Sequence, residues 1–360
     1  MNKTFSPSFH TLRWEGGIDG TLQLLDQRKL PQEKEYLTCR AVDDLVEALV
    51  SLAVRGAPAI GVAAAYGICL GMQKAADHAP AGALALLDES KAKLAASRPT
   101  AVNLFWALDR MKKAACRFFA EQPAASVSDL RRRLLEEANA ICEEDKQMCR
   151  AIGQNGLSLM PEDGGVLTHC NAGALATAGI GTALAAIYAA HQAGKRFTVY
   201  VDETRPLLQG ARLTAWELAQ YAIPSVLICD NMAAWLMKRS KIKAVIAGAD
   251  RIAANGDTAN KIGTLGLSIL AKRFGIPFYI AAPSSTFDLS ISHGRDIPIE
   301  ERSADEVHAF AGRRVAPSAI PAYNPAFDIT DAADITAIIT EKGVFYPPLE
   351  KAIKDYLEPK

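Results

Sequence analysis

Beyond Gly165 the chain exchanges short apolar runs for longer helix-like stretches at regular intervals, and few architectures accept that rhythm. The apolar runs lie at 166–168, 197–201, 225–228, 244–247 and 277–281, and the segments 174–193, 210–221, 231–239 and 259–273 between them carry helical spacing. Strand, crossover and helix repeated in this way predict a parallel sheet with helices on both faces, a doubly wound, Rossmann-like α/β domain. In such a sheet the ligand lies beyond the carboxyl ends of the strands. That rule singles out His169 with Cys170, Asp202 with Glu203, Asp230 with Asn231, 248–250 and 282–284. The segment 324–348 reads as a closing strand and a helix with a proline-stopped tail.

The earlier part of the chain has a different pattern. TLRWEGG, GTLQLLD and EYLTCR show partial alternation broken by Gly and Asp, which predicts short extended pieces. From Asp43 to about Leu159 the apolar positions are helical: Val46, Leu49 and Val50 share a face, as do Leu104, Leu108 and Met111, and Leu134, Leu135, Ala138 and Ile141. A chain of 360 residues, at about 150 per domain, makes about two domains. The expected division is 1–160, a smaller, mainly helical domain with short antiparallel strands, and 161–360, the Rossmann-like domain.

Two stretches without Lys, Arg, Asp or Glu, 56–73 and 172–194, are by length alone able to span a membrane. Their apolarity comes mainly from Ala and Gly, with little Leu, Ile or Phe, and each follows a loop-like motif; buried helices in a crowded core are expected instead. Lys plus Arg and Asp plus Glu both number 40, so the basic surplus of a protein that lives on nucleic acid or anionic membrane is missing. Seven scattered cysteines with no C-x-x-C pair argue against a disulfide framework or a structural zinc site. The N-terminus, MNKTFSPSFHTLRWEGG, lacks the apolar core of a signal peptide, and a cytoplasmic protein is expected.

Several residues at the expected strand ends carry chemistry. Cys170 is followed by Asn171, Ala172 and Gly173, a tight turn, with a helix expected from about Ala174. A thiol beside a helix N-terminus is favoured as thiolate, although a cysteine in that place equally serves as packing. His169, by alternation, points away from Cys170 and reads as structural. Asp250 follows six apolar or glycine residues; desolvation there favours its protonated form, and capping of the next turn is the plainer use. After the turn 255–257, with Thr258 as N-cap, Asn260 and Lys261 fall in the first turn of the helix 259–273. A lysine there opposes the helix dipole unless it shares an anion, such as a phosphate, with the exposed N–H groups. In VRGAPAIG, Arg55 offers a bidentate fork and Gly56 a close backbone approach, an arrangement that suits an anion cradle or a plain helix start. Arg98 in SRPTAVN stands in a similar context. The carboxylates of Asp202 and Glu203 have no nearby His to complete a metal site, and Arg205 is placed to neutralise one of them; Gln209 beyond them is a candidate ligand contact. There is no G-x-G-x-x-G, no Walker A sequence and no G-x-S-x-G elbow, which disfavours nicotinamide and ATP enzymes. Residues Gly179, Ile180 and Gly181 are expected inside a helix.

Taken together, LDQRKLP (25–31), RGAPAIGVAAAYG (55–67), SRPTAVN (97–103), THCNAGALATAGIGTAL (168–184), DETRPLLQGARLTAWEL (202–218), GADRIAANGDTANKIGT (248–264), APSSTFD (282–288) and NPAFD (324–328) resemble the methylthioribose-1-phosphate isomerases. That group belongs to the superfamily that also contains the regulatory subunits of translation initiation factor 2B. The resemblance runs over nearly the whole chain. It implies a homodimeric, cofactor-free and metal-free aldose–ketose isomerase that turns 5-methylthio-ribose 1-phosphate into 5-methylthio-ribulose 1-phosphate in methionine salvage. It further implies Cys170 and Asp250 as the catalytic pair, with Arg55, Gly56, Ala57, Arg98, Gln209, Asn260 and Lys261 holding the substrate, mainly by its phosphate. Two alternatives share these motifs: an isomerase of 5-deoxyribose 1-phosphate or ribose 1,5-bisphosphate, and a non-enzymatic regulatory subunit.

Overall fold

Short strands, then a run of helices, then a wound sheet follow one another along the chain. The computed structural model describes residues 9–75, 79–99, 101–310 and 312–357, so the first eight residues of the segment read above for a signal peptide and Thr100 of SRPTAVN lie outside the described residues. The chain divides into two compact units, one of residues 9–147 with 174–181, the other of 148–173 with 182–357.

The helical unit begins with β1 (Leu12–Glu15), β2 (Thr21–Leu25) and β3 (Tyr36–Cys39), an antiparallel meander. Its helices are α1 (Val42–Val50), α2 (Ala57–Met72), α3 (Pro80–Ser97), α4 (Val102–Glu121) and α5 (Val127–Gly156), the last counted with the other unit from Met148 on. Every residue of α2 from Ala59 to Met72 is buried, which a helix of Ala and Gly permits because neighbouring backbones come close to it. A Cβ on Gly61 would lie 2.9 Å from the Asn103 carbonyl oxygen of α4, and one on Gly67 2.7 Å from a Leu45 methyl of α1. Among the described residues no helix is long and apolar enough to cross a membrane.

The α/β unit contains β4 (Asp163–Thr168), α6 (Ala183–Gln192), β5 (Arg196–Asp202), a π-helical turn (Gly210–Thr214) that runs into α7 (Ala215–Gln220), β6 (Ser225–Ile228), α8 (Ala233–Lys238) and β7 (Ala244–Ala247). It continues with β8 (Arg251–Ala253), β9 (Thr258–Lys261), α9 (Thr264–Phe274), β10 (Phe278–Ala281), β11 (Phe287–Asp288), α10 (Asp305–His308), β12 (Ala309–Phe310) and β13 (Arg313–Arg314). It ends with β14 (Phe327–Thr330), β15 (Ala337–Thr340), β16 (Gly343–Phe345) and α11 (Leu349–Leu357). Seven strands form the main sheet in the order β16-β15-β10-β7-β4-β5-β6, parallel except at β15–β16. The five expected runs are five of its parallel strands. A smaller sheet, β11-β8-β9-β14, leaves the main one after β7.

Three local expectations fail for physical reasons. The helix expected over 174–193 covers only Ala183–Gln192; the residues before it, Gly179 and Gly181 included, are not α-helical. Gly181 has φ +94°, Thr177 Oγ1 accepts the N–H groups of Gly179 and Gly181 at 3.1 Å, and Asp145 takes that of Ala178 at 2.6 Å, so the backbone is satisfied without a helical ladder. Residues 258–261 are a strand, because the Asn255–Gly256 turn, with Gly256 at φ +92°, folds β8 and β9 into a hairpin that β14 extends. Finally, 324–348 holds three strands, not one, with a helix after them.

Candidate active site

Strands β4 and β7 lie side by side, Thr168 opposite Ile246, although β5 and β6 come between them in sequence. The chain winds outward from β4 to β6 and returns through β7, which makes the crevice between β4 and β7 the topological switch point. Cys170 comes two residues after β4 and Asp250 three after β7. The two loops pack together, since a Cβ on Gly248 would stand 2.9 Å from the Ala172 Cβ. Asp250 is half-buried, and its N–H donates to the Ala259 carbonyl of β9 at 2.9 Å, which sets it beside Asn260 and Lys261.

Cys170 is buried and left-handed, with φ +59°. A side chain in that region costs about 1–3 kcal/mol and persists only where its surroundings enforce it. Here the Cys170 N–H donates to Thr204 Oγ1 at 2.9 Å and its carbonyl accepts from Thr214 Oγ1 at 2.6 Å. The expected thiol at a helix N-terminus is not what forms, because α6 starts only at Ala183 and a 3₁₀ turn, Ala174–Ala176, comes first.

Next to it, His169 is tied on both sides: Nδ1 meets Asp202 Oδ2 at 3.1 Å and Nε2 donates to the Ile262 carbonyl at 2.9 Å. The histidine thus fastens the end of β4 to the end of β5 and to the residue that follows Lys261. Burial alone would strip the imidazole of its second proton, but the Asp202 carboxylate and the Ile262 carbonyl outweigh it and raise the affinity for that proton. Burial likewise pushes the Asp202 carboxyl up against the pull of His169. Both shifts describe one proton kept between the two groups. Its stabilising effect is complete below the ordinary imidazole value of 6.5 and is lost as pH rises through the higher folded value. The unfolding free energy from urea titrations should therefore fall as pH climbs above neutral, by at most about 1.4 kcal/mol per pH unit for this one proton, and His169→Gln should flatten the fall. An unchanged slope in that variant would assign the effect to other groups.

His169, Asp202 and Asp230 offer ligand atoms within 4.8 Å of one another, a trio from three strand ends that spacing along the chain does not reveal. Hydrogen bonds already account for His169 and for Asp230, whose oxygens accept the N–H groups of Thr204 and Arg205 at 2.8 Å; Asp202 Oδ1 has no hydrogen-bond partner among the described residues. Arg205 does not neutralise a neighbouring carboxylate as expected: its guanidinium donates to the Pro206, Val307 and Ala309 carbonyls and lies over the Phe310 ring.

The other expected ligand contacts divide between the units. Gln209 is buried where the π-turn starts, and its Oε1 has no hydrogen-bond partner among the described residues. Asn260, also buried, donates to Thr264 Oγ1 at 2.9 Å, and the Lys261 ammonium donates to the Ala326 carbonyl at 2.7 Å over the face of Phe327. Both stand on β9, not in a helix. The helix after them starts at Thr264, and its first N–H groups are not offered to an anion: Asp328 accepts those of Gly263 and Leu265 at 2.7 and 3.1 Å. In the helical unit Arg55, Gly56 and Ala57 form the entry to α2, and Arg98 ends α3. The freedom of Gly56, at φ +92°, is spent on its own unit, where a Cβ would come 2.5 Å from the Ala176 Cα.

The chain matches the initiation factor 2 subunit family over residues 53–347. The methylthioribose-1-phosphate isomerase of Pelotomaculum thermopropionicum is 54% identical over 348 residues, 97% of this chain and 94% of that protein. The 5-deoxyribose 1-phosphate isomerase of Moorella thermoacetica is 54% identical over 339 residues, 94% of this chain and 95% of that protein. Among solved structures, the 5-methylthioribose 1-phosphate isomerase from Pyrococcus horikoshii OT3 aligns with a TM-score of 0.90 at 40% identity, covering 99% of either chain. A match of this length and identity leaves one conclusion: the chain belongs to the initiation factor 2 subunit family, among its methylthioribose-1-phosphate isomerases.

Proposed function

We propose that the protein isomerises 5-methylthio-ribose 1-phosphate to 5-methylthio-ribulose 1-phosphate, a step of methionine salvage. The observation that supports the proposal is that the loops carrying Cys170 and Asp250 pack together at the switch point of the sheet. Phosphate on the anomeric oxygen blocks spontaneous ring opening, so an acid must open the ring. Asp250 donates its proton to the ring oxygen, and the bond from C1 to that oxygen breaks. Hydrogen then moves from C2 to C1, as hydride or by way of an enolate, while Cys170 takes the proton of the C2 hydroxyl as it becomes a ketone. Water exclusion strengthens both steps. Arg55, Gly56, Ala57, Arg98, Gln209, Asn260 and Lys261 hold the substrate, chiefly its phosphate; the buried Gln209 Oε1, without a hydrogen-bond partner among the described residues, supports its part in this. The chemistry asks for no cofactor and no metal.

A second substrate deserves a direct comparison, because a relative of equal identity bears the name 5-deoxyribose 1-phosphate isomerase. The kcat/KM values for the methylthio, deoxy and 5-phosphorylated sugars decide it: the methylthio sugar is expected to be turned over best. Preference for the deoxy sugar would move the assignment, and no turnover of any of them would leave the regulatory reading.

The reading includes a cytoplasmic homodimer. Its support is the edge strand β6, where Val226 and Leu227 are 44% and 52% exposed, beside Met232 and Trp235 at 46% and 59%. An open apolar edge of this kind is a ready pairing surface for a second copy. Sedimentation at the mass of a single 38.6 kDa chain would remove this part.

A further inference from the structure

Among the described residues six non-glycine positions have positive φ, and three of them, Cys170, Thr204 and Leu208, lie in the loops after β4 and β5. Thr204, at φ +66°, is the most demanding, since a β-branched side chain tolerates that region poorly. We propose that Thr204 and Thr214 are positioning residues for the reaction: their hydroxyls hold the two backbone polar groups of Cys170 and fix its thiol in a left-handed turn on the loop that packs against that of Asp250. The inference rests on the isomerase reading for its consequence and on geometry alone for its cause.

Both threonines are fully buried. A threonine kept for packing alone would be served as well by valine, but each of these hydroxyls is used as donor and acceptor. Thr204 Oγ1 accepts the Cys170 N–H at 2.9 Å and donates to the Asp202 carbonyl at 3.0 Å. Thr214 Oγ1 donates to the Cys170 carbonyl at 2.6 Å and accepts from Asn171 Nδ2 at 3.2 Å. The clamps are themselves held. Asp230, beyond β6, accepts the N–H of Thr204 at 2.8 Å, and Asn171 also donates to Glu217 Oε2 at 2.9 Å. The π-turn delivers Thr214 to the Cys170 carbonyl, and such turns recur at functional sites.

Thr204→Val and Thr214→Val keep the shape and remove the hydroxyl, whereas Thr204→Ser and Thr214→Ser keep the hydroxyl. The valine variants are expected to lower kcat by about 10–100-fold with KM near the wild-type value, and the serine variants to recover most of kcat. A second readout needs no substrate: iodoacetamide labelling of Cys170, followed peptide by peptide by mass spectrometry, with the exposed Cys116 as reference. Burial pushes the Cys39 and Cys69 thiols up to about 12, which keeps them silent. Loosening the turn should speed labelling of the buried Cys170 by about fivefold or more in the valine variants. Wild-type labelling and kcat in both valine variants would overturn the inference, as would equal loss in valine and serine variants. Should Thr204→Val not fold, Thr214→Val decides alone. Failure of the isomerase reading shows separately, as absent turnover in the unmodified protein, and labelling then still judges the clamp.

Discussion

Asp250→Asn is expected to lower kcat by about 100-fold or more, the scale of a lost general acid, while KM stays close to its original value. The exchange keeps the size of the side chain and the backbone hydrogen bond from Asp250 to Ala259, and an unchanged melting temperature checks that the fold is kept. In the proposed mechanism it removes the proton that opens the ring. Cys170→Ala should cost a similar factor, with the fold judged intact by its melting temperature. If either variant turns over substrate at close to the normal rate, that residue has no part in the chemistry. Running the reaction in deuterated water divides the two routes: full retention of the substrate hydrogen at C1 excludes a freely exchanging enolate.

The largest expected effect on stability belongs to a glycine. A Cβ on Gly210 would stand 1.7 Å from the Asp202 carbonyl oxygen and 2.9 Å from Thr204 Oγ1. Neither neighbour can retreat, since the first is strand backbone and the second is buried and hydrogen-bonded. Gly210→Ala should therefore destabilise the protein by about 3 kcal/mol, the upper range for overpacking, and the cost appears as a lower urea midpoint. Gly266→Ala is the matched control: that position lies in α9 with nothing within 4 Å, and alanine there should stabilise by about 0.5–1 kcal/mol. Equal midpoints for the two variants would show that the approach at Gly210 is not tight.

What was legible in the chain was whatever depends on period. Five strands of the main sheet and the buried nature of α2 follow from runs of like residues, and the strand-end rule then leads to Cys170 and Asp250. What escaped depends on partners distant in sequence. Residues 258–261 look helical by neighbourhood, and only pairing with β14, some seventy positions later, makes them a strand; the Asn255–Gly256 hairpin signal was the available clue. The glycines at 179 and 181 warned against a helix that the long apolar run suggested. No pattern announces that His169 meets Asp202, or that Thr204 and Thr214 grip Cys170, because side-chain hydrogen bonds between loops leave no periodic trace. The surroundings of Arg55 suit an anion cradle or a plain helix start by sequence, and a helix start is what forms there; Arg98, in a similar context, stands at a helix end.

The wide turn at Gly210–Thr214 has one consequence for how such chains diversify. It stores about one residue more than an ordinary helical turn, so losing one would leave α7 winding smoothly while rotating everything before it by about 100°. With the positioning role proposed for Thr214, loss of one residue between the β5 carboxylate and the tryptophan of α7 is expected to cost activity while sparing the helix.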